Sequence, residues 1–177
     1  MRTITTHTVV KTFDELDDDA KQTVLEKYSD INAHFPWRDS TYEDAKEIGL
    51  EITSFDGSRH EIGGKFTEYA DRVIEKIIAG HGESCETHAI ATRTKLLLDA
   101  QKDILDGADC DTEESCNAYN AAEDAVEGIE EEFRREIKEE YLSMLRKEYK
   151  YITSEEAIIE SIRANEYEFD ENGDIAN

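Results

Sequence analysis

The chain contains few of the residues that interrupt helices or cross-link a small protein. Its 177 residues include one proline, one tryptophan and three cysteines. Because the cysteines form neither an even set nor a CxxC pair, a disulfide framework is not expected. No apolar run reaches the roughly 18 residues that a membrane span needs, and MRTITTHTVV lacks the shape of a signal peptide. These absences predict a cytoplasmic protein that does not bind a membrane.

Basic residues are also scarce. The sequence has 20 Lys and Arg against 44 Asp and Glu, and its net charge is -24. A field of this sign repels DNA, RNA and anionic membranes, and it attracts basic surfaces, most often those built to hold nucleic acid. The charge therefore predicts no direct binding of nucleic acid and a basic protein as partner. The alternative is that the acidity serves only solubility.

Motifs that carry catalysis or hold a cofactor are absent from the sequence. It contains no nucleophile elbow, P-loop or GxGxxG fingerprint. His81, Cys85 and His88 have the spacing of helical neighbours but lack the closely paired ligands of structural zinc sites. The segment DENGD at 170–174 departs from a calcium loop, because its glycine is fourth rather than sixth. We predict no enzymatic activity, no metal and no cofactor.

Four segments favour extended backbone. Residues 3–10 are rich in threonine and valine, whose branching at Cβ suits a strand. The segments LEITSFD and EIGGKFT flank Gly57 and Ser58, which is typical of a β-hairpin. A last strand is predicted in YEFDENGDI, with a turn at Asn172 and Gly173 that requires positive φ. Together these strands predict one small antiparallel sheet.

Helix starts are indicated by three capping-box spacings, in which a hydroxyl and a carboxylate three residues apart satisfy backbone N–H groups. A further helix over 67–78 is predicted to end at Gly80 and Gly82. The capping spacings are those of Thr12 with Glu15, Ser40 with Glu43, and Thr153 with Glu156.

Two long periodic segments predict a helical hairpin. Apolar residues recur at steps of three to five over 113–150. A helix over 85–105 is predicted to have as its apolar side Ile90, Leu97, Leu98, Ile104 and Leu105, and the acidic segment between the two helices breaks the pattern. The second helix would span roughly 55 Å, which exceeds the diameter of a small domain, so the hairpin is predicted to protrude. The expected fold is mostly helical α+β, with a base over 1–82, an acidic helical hairpin arm over 83–150, and a C-terminal helix and strand over 151–177 that return to the base.

The acids are concentrated on this arm. Residues 106–140 carry about one net negative charge per 5 Å of helix, while a DNA strand carries one per roughly 3.4 Å. Such a run is usually a solvated helix face. However, 106–133 contain no Lys or Arg to pair with the acids, which favours a binding surface. The candidate partner-binding residues are Asp106, Asp109, Asp111, Glu113, Glu114, Glu123, Asp124, Glu127, Glu130, Glu131, Glu132, Glu136, Glu139 and Glu140.

Three segments resemble a family of small, acidic, uncharacterised proteins of bacteriophages and prophages, some of them labelled antitoxin-like. They are TFDELDDDAKQTVLEKYSDIN, TYEDAKEIGLEITSFD and TSEEAIIESIRANEYEFDENG. The resemblance covers about 9–80 and 148–174 and carries no catalytic residue. It implies a phage setting, in which small acidic proteins neutralise host defences by occupying nucleic-acid-binding surfaces.

Our leading hypothesis is a phage-encoded anti-defence protein of the host cytoplasm. It would block the nucleic-acid-binding surface of a CRISPR effector or restriction nuclease, with the acidic arm as a DNA mimic. The alternative is an antitoxin or assembly protein that pairs with a partner, or with itself as a homodimer, through the apolar stripe of the long helix. That stripe includes Phe133, Ile137 and Tyr141.

A third hypothesis is an enzyme that acts on a small ligand or a signalling nucleotide. The net charge opposes the binding of anions. Only a local cluster such as Arg134, Arg135 and Lys138 would overcome it, and these residues share a helix with more numerous acids.

Overall fold

A computed structural model describes residues 9–57, 59, 61–108 and 111–176. Of these residues, 66% are helical, which confirms the mostly helical α+β class. In these residues the α-helices are α1 (Asp18–Lys27), α2 (Asp39–Glu47), α3 (Ala70–Gly80), α4 (Glu86–Gly107), α5 (Glu113–Ile152) and α6 (Glu155–Ala164). The strands are β1 (Lys11–Thr12), β2 (Leu50–Asp56), β3 (Glu61–Phe66) and β4 (Glu168–Phe169).

The described residues form two compact units. The terminal unit contains those up to Trp37 and from Lys147 onward, and the central unit is Arg38–Arg146. The predicted boundaries after residues 82 and 150 are therefore not those of the structure. The segment that follows Trp37 belongs with the long helices, and the N-terminal segment belongs with the C-terminal one.

The core of the central unit explains this division. Leu50 of β2 and Ile77 of α3 are buried in one cluster with Ile90 of α4 and with Phe133 and Ile137 of α5. The hairpin and α3 thus bury their apolar faces against the helices that were predicted to form a separate arm. Burial of that apolar surface is the main favourable term holding these elements together.

The terminal unit has its own core. β1 pairs with β4 in antiparallel fashion, with Lys11 opposite Phe169. This pairing confirms that the C-terminal strand returns to the N-terminal segment. The strand predicted over 3–10 lies mainly outside the described residues, and Val9 and Val10 are not in a strand. The buried residues of this core are Phe13, Leu16, Val24, Ile158, Ile162 and Phe169.

The strands form two separate sheets rather than the single sheet predicted from the sequence. The β2–β3 hairpin is present, with Leu50 opposite Phe66 and Asp56 opposite Glu61. Among the described strands, no backbone pairing joins this hairpin to β1 and β4. The sheets are separate because β1 and β4 belong to the terminal unit, whereas β2 and β3 belong to the central unit.

The first predicted helix start was wrong in position. The Glu15 carboxylate accepts a 2.9 Å hydrogen bond from the N–H of Thr12, but only a 3₁₀ turn over Phe13–Glu15 follows. Leu16 is extended, at ψ 149°, and its side chain and that of Phe13 are both buried. α1 begins two residues later, where the carboxylate of Asp17 caps it. Burial of two apolar side chains therefore outweighs continuation of the helix at this point.

The other two predicted starts differ by one or two residues. Ser154 rather than Thr153 caps α6, and its hydroxyl accepts a 3.3 Å hydrogen bond from the N–H of Ala157. Ser40 lies inside α2, which begins at Asp39. Such shifts are ordinary where several capping side chains are adjacent.

Candidate acidic binding surface

α4 and α5 run antiparallel in the central unit. Nη2 of Arg93 in α4 lies 2.7 and 2.6 Å from the two carboxylate oxygens of Glu136 in α5. Leu105, two residues before the end of α4, lines a groove together with Val126 of α5. The later residue of α4 thus lies beside the earlier residue of α5, as antiparallel packing requires. The helical hairpin predicted from the periodicity is present.

Part of the predicted acidic set is neutralised by arginines. Arg135 hydrogen-bonds two carboxylates, and its bond to Glu139 is 2.6 Å long. The Arg135 guanidinium holds the pKa of Glu132 below its ordinary value, while these carboxylates raise the pKa of Arg135. These acids have less negative charge to offer to a partner. The pairs are Glu130 with Arg134, Glu132 and Glu139 with Arg135, and Glu136 with Arg93.

Most of the other acids of the set make no ion pair. Asp124, Glu127 and Glu131 succeed one another at steps of three and four, so they lie along one exposed face of α5. Asp111 is also exposed, and Asp109 lies outside the described residues. Within the described ranges, the acids of the set without an ion pair are Asp106, Glu113, Glu114, Glu123, Asp124, Glu127, Glu131 and Glu140.

A groove of about 440 Å³ runs beside this face. Four acids line it, together with two apolar side chains and Arg134. The hydroxyl of Tyr119 donates a 3.2 Å hydrogen bond to one of the four, Glu123. A concave surface lined by carboxylates suits a basic side chain that reaches in from a partner. The acids of the groove are Glu123, Glu127, Glu130 and Glu131.

The apolar stripe of α5 is used inside the chain. Phe133, Ile137 and Tyr141 are each fully buried in the core of the central unit. The Tyr141 hydroxyl donates a hydrogen bond to Asp44, and burial together with this carboxylate raises the pKa of Tyr141. These three side chains are therefore not available to pair with another protein.

Exposed apolar side chains lie instead on α4. Leu97 and Ile104, which periodicity places on the apolar side of this helix, are 48% and 44% exposed, and Leu96 is 67% exposed. The fully buried residues of α4 are Thr87, Ile90, Ala91 and Thr94, and Leu98 packs against the same core. The periodicity predicted the helix correctly and its apolar side in part, since Ile90 is buried and Leu98 and Leu105 are half-buried.

His81 and His88 bond hydroxyls in the structure. Nδ1 of His81 is 2.7 Å from Oγ1 of Thr87, and Nδ1 of His88 is 3.4 Å from Oγ1 of Thr92. Cys85 is exposed with a free thiol. In the part of the chain that the structure describes, no three His, Cys, Asp or Glu side chains are grouped to hold a metal.

The segment 170–174 forms a turn. One carboxylate oxygen of Asp170 accepts hydrogen bonds of 2.9 Å from the N–H groups of both Asn172 and Asp174. These bonds hold the pKa of Asp170 below its ordinary value. Gly173 has the predicted positive φ, at +73°. Asp170 therefore stabilises the turn, and the carboxylate of Asp174 pairs with Lys27.

Sequence reasoning missed one polar network. Nε2 of His81 lies 3.6 Å from Oδ1 of Asp44, while its other ring nitrogen contacts Thr87. A hydroxyl, an imidazole and a carboxylate in series also occur in nucleophilic catalysis. Thr87, however, is only 1% exposed, so a substrate does not reach its hydroxyl. The network links α2, the end of α3 and the start of α4.

Comparison with known proteins identifies no relative. No family model, no curated protein and no solved structure matches the chain. The family resemblance of the three sequence segments stays a prediction. Over the described residues, no helix is both long enough and apolar enough to cross a membrane.

Proposed function

We propose that this chain is an acidic inhibitor that binds a basic nucleic-acid-binding protein and blocks its nucleic-acid site. The observation that carries the proposal is the line of carboxylates at Asp124, Glu127 and Glu131, which have no basic partner in the described structure. They lie on an exposed face of α5 beside an acidic groove.

The spacing of these carboxylates supports mimicry of a nucleic-acid backbone. Steps of three and four residues correspond to rises of about 4.5 and 6 Å along a helix. These intervals are of the same order as the roughly 3.4 Å per charge of a DNA strand. Because a helix is rigid, the backbone positions of these residues are fixed before a partner arrives, so only the side chains have to be ordered on binding.

The repulsion within this line supports the same function. Glu127 precedes Glu131 by four residues and follows Asp124 by three, so each adjacent pair places like charges about one turn apart on the helix. Such pairs destabilise a helix, and a purely structural face normally alternates them with Lys or Arg. Arg135 pairs in this way with Glu132 and Glu139 of the same helix, but the described structure shows no ion pair for this line. A basic partner would remove the repulsion.

The class of target follows from the charge and from the phage resemblance. A CRISPR effector and a restriction nuclease both hold nucleic acid on basic surfaces, to which a chain of net charge -24 is attracted. The host cytoplasm is the location that this proposal requires. Direct contact with nucleic acid plays no part in it.

The test is a triple variant, Asp124→Asn, Glu127→Gln and Glu131→Gln. Its binding to a nucleic-acid-free CRISPR effector and to a restriction nuclease is measured by calorimetry at about 50 and 200 mM salt. We expect the native chain to bind one of them, with an affinity that falls as salt rises. We expect the triple variant to bind at least roughly tenfold more weakly.

A matched control carries the same change of charge on the paired flank. It combines Glu132→Gln, Glu136→Gln and Glu139→Gln, whose carboxylates are held by arginines. We expect this control to lose less affinity than the first triple variant, with helix content checked by circular dichroism for both. Equal losses would mean that net charge, and not this surface, determines binding. Binding that does not respond to salt would count against mimicry altogether.

A second candidate function is assembly through α4, as an antitoxin or in a homodimer. The observation that favours it is the exposure of Leu96, Leu97 and Ile104 on that helix. Light scattering distinguishes the two functions, since a dimer that Leu97→Asp converts to a monomer would support assembly. A native chain that is monomeric at high concentration would oppose self-association.

A further inference from the structure

The central unit contains a cleft whose local charge is opposite to that of the chain. It has a volume of about 870 Å³ and lies between α5 and the segment that begins at the end of β3. Four basic and two acidic side chains line it, in a protein whose net charge is -24. The charged lining residues are Lys65, Arg134, Arg135, Lys138, Glu68 and Glu131.

The main evidence for a binding site is the environment of Lys138. Its side chain is half-buried, and Nζ donates a 2.9 Å hydrogen bond to the carbonyl of Gly64. The same Nζ lies 5.8 Å from the centre of the Phe66 ring. Neither neighbour carries a negative charge, and among the described residues no carboxylate pairs with this lysine. A half-buried cation without a counter-ion is costly, and an ammonium has three donors, of which two remain for a ligand.

The neighbouring cations differ in the donors that they have left. Arg135 uses Nε and both Nη atoms on two carboxylates. Arg134 uses only Nη2, so further N–H groups of its guanidinium are free to bind an anion. Lys65 is 3.4 Å from Glu51 and mostly exposed, which makes that pair weak. Lys138 and Arg134 are therefore the groups that would hold an anion, with Lys65 at the edge.

An aromatic ring borders the same cleft. Tyr69 lines it and is 81% exposed, although tyrosine is normally half-buried or more. An exposed aromatic face beside cations suits a ligand that has a planar ring and an acidic group. Polyanions are disfavoured, because a longer strand would have to pass the carboxylates of α5.

We propose that this cleft binds a small phosphate ester with a planar ring, of the size of a nucleoside monophosphate. Lys138 and Arg134 hold the phosphate, and the ring packs against Tyr69. The site is a proposal separate from the inhibitor function, although Glu131 and Arg134 line both the cleft and the acidic groove.

The test is a calorimetric titration of the native chain with adenosine monophosphate, adenosine, inorganic phosphate and a short oligoadenylate. We expect saturable binding of the monophosphate and at least roughly tenfold weaker binding of adenosine and of phosphate. Tighter binding of the oligoadenylate would overturn the proposal in favour of a single-stranded nucleic acid. Absence of saturable binding of the monophosphate would overturn it altogether.

Variants then locate the site. We expect Lys138→Gln to weaken binding of the monophosphate roughly tenfold, and Lys138→Arg to retain most of it. Tyr69→Ala should weaken the monophosphate but not inorganic phosphate, because it removes only the ring contact. The control is Lys102→Gln on α4, an exposed lysine outside the cleft. An equal effect of the control and of Lys138→Gln would show a general effect of charge and would refute the site.

Discussion

The hydroxyl of Tyr141 donates a 2.6 Å hydrogen bond to Oδ2 of Asp44 and so joins α5 to α2. The ring is fully buried, whereas 45% of the Asp44 side chain is exposed. Because the carboxylate keeps part of its hydration, Tyr141→Phe should lower the free energy of unfolding by only about 1 kcal/mol. Urea unfolding followed by circular dichroism measures this change.

Tyr42 offers a matched control in the same core. Its hydroxyl is buried and, among the described residues, has no hydrogen-bond partner. Removing an unsatisfied polar group costs nothing and relieves a desolvation penalty, so Tyr42→Phe should leave the stability unchanged or raise it. Equal losses for both variants would mean that the hydroxyl of Tyr141 contributes no specific bond.

The second prediction concerns the apolar side chains of the two long helices. Phe133 is fully buried in α5, while Leu96 is 67% exposed on α4. Phe133→Ala leaves a cavity in the core and should cost about 3–5 kcal/mol, whereas Leu96→Ala should change the stability by less than about 0.5 kcal/mol. Thermal unfolding of both variants tests the contrast. A stable Phe133→Ala protein would contradict the placement of this ring in the core.

The periodicity around Phe133 also shows how far the sequence predicts the structure. Steps of three and four predicted α5 and the residues of its apolar face correctly. They did not predict what covers that face, because a helix buries it equally well against a partner chain or its own sheet. That choice depends on Leu50 and Ile77, which are more than 50 positions from Phe133 in the sequence.

The acidic surface was predictable only in part, for a similar reason. The sequence gives the positions of all the acids along α5. It also indicates the ion pairs within this helix, since Arg134 and Arg135 lie three or four residues from their carboxylates. It does not indicate that Arg93 neutralises Glu136, since that contact depends on the antiparallel packing of α4 and α5. The distinction between paired and unpaired carboxylates therefore needed the tertiary structure.

The third prediction concerns a glycine inside α5. Gly128 is exposed, and a Cβ built on it meets no atom within 4 Å. Alanine at this position reduces the conformational entropy of the unfolded chain without a clash, so Gly128→Ala should stabilise the protein by about 1 kcal/mol. The midpoint of urea unfolding measures the gain. Binding through the neighbouring carboxylates should not change, because no charge is altered.

Gly173 gives the opposite expectation for the same substitution. Its φ is +73°, and an added Cβ would lie 3.3 Å from Cγ2 of Val24. An alanine is strained in the left-handed backbone conformation, and its Cβ would crowd a core valine. Gly173→Ala should therefore destabilise the protein by about 1–2 kcal/mol. A gain of stability at this position would show that the turn at 170–174 is not formed as described.

The last prediction is a loss of stability in acid that depends on Asp170. Its carboxylate accepts hydrogen bonds from the N–H groups of Asp174 and Asn172, which hold its pKa below the ordinary value of 3.8 in the folded chain. A lowered pKa means that this stabilisation is complete above 3.8 and is lost as the pH falls through the lower folded value. Asp170→Asn keeps an acceptor oxygen but does not titrate, so its stability should fall less between about pH 5 and pH 2 than that of the native chain.

The control is Glu160→Gln, which makes the same change of charge at an exposed residue that has no hydrogen bond or ion pair in the described structure. Urea unfolding at several pH values compares the three proteins. If the control reduced the acid sensitivity as much as Asp170→Asn, the effect would come from net charge and not from the turn.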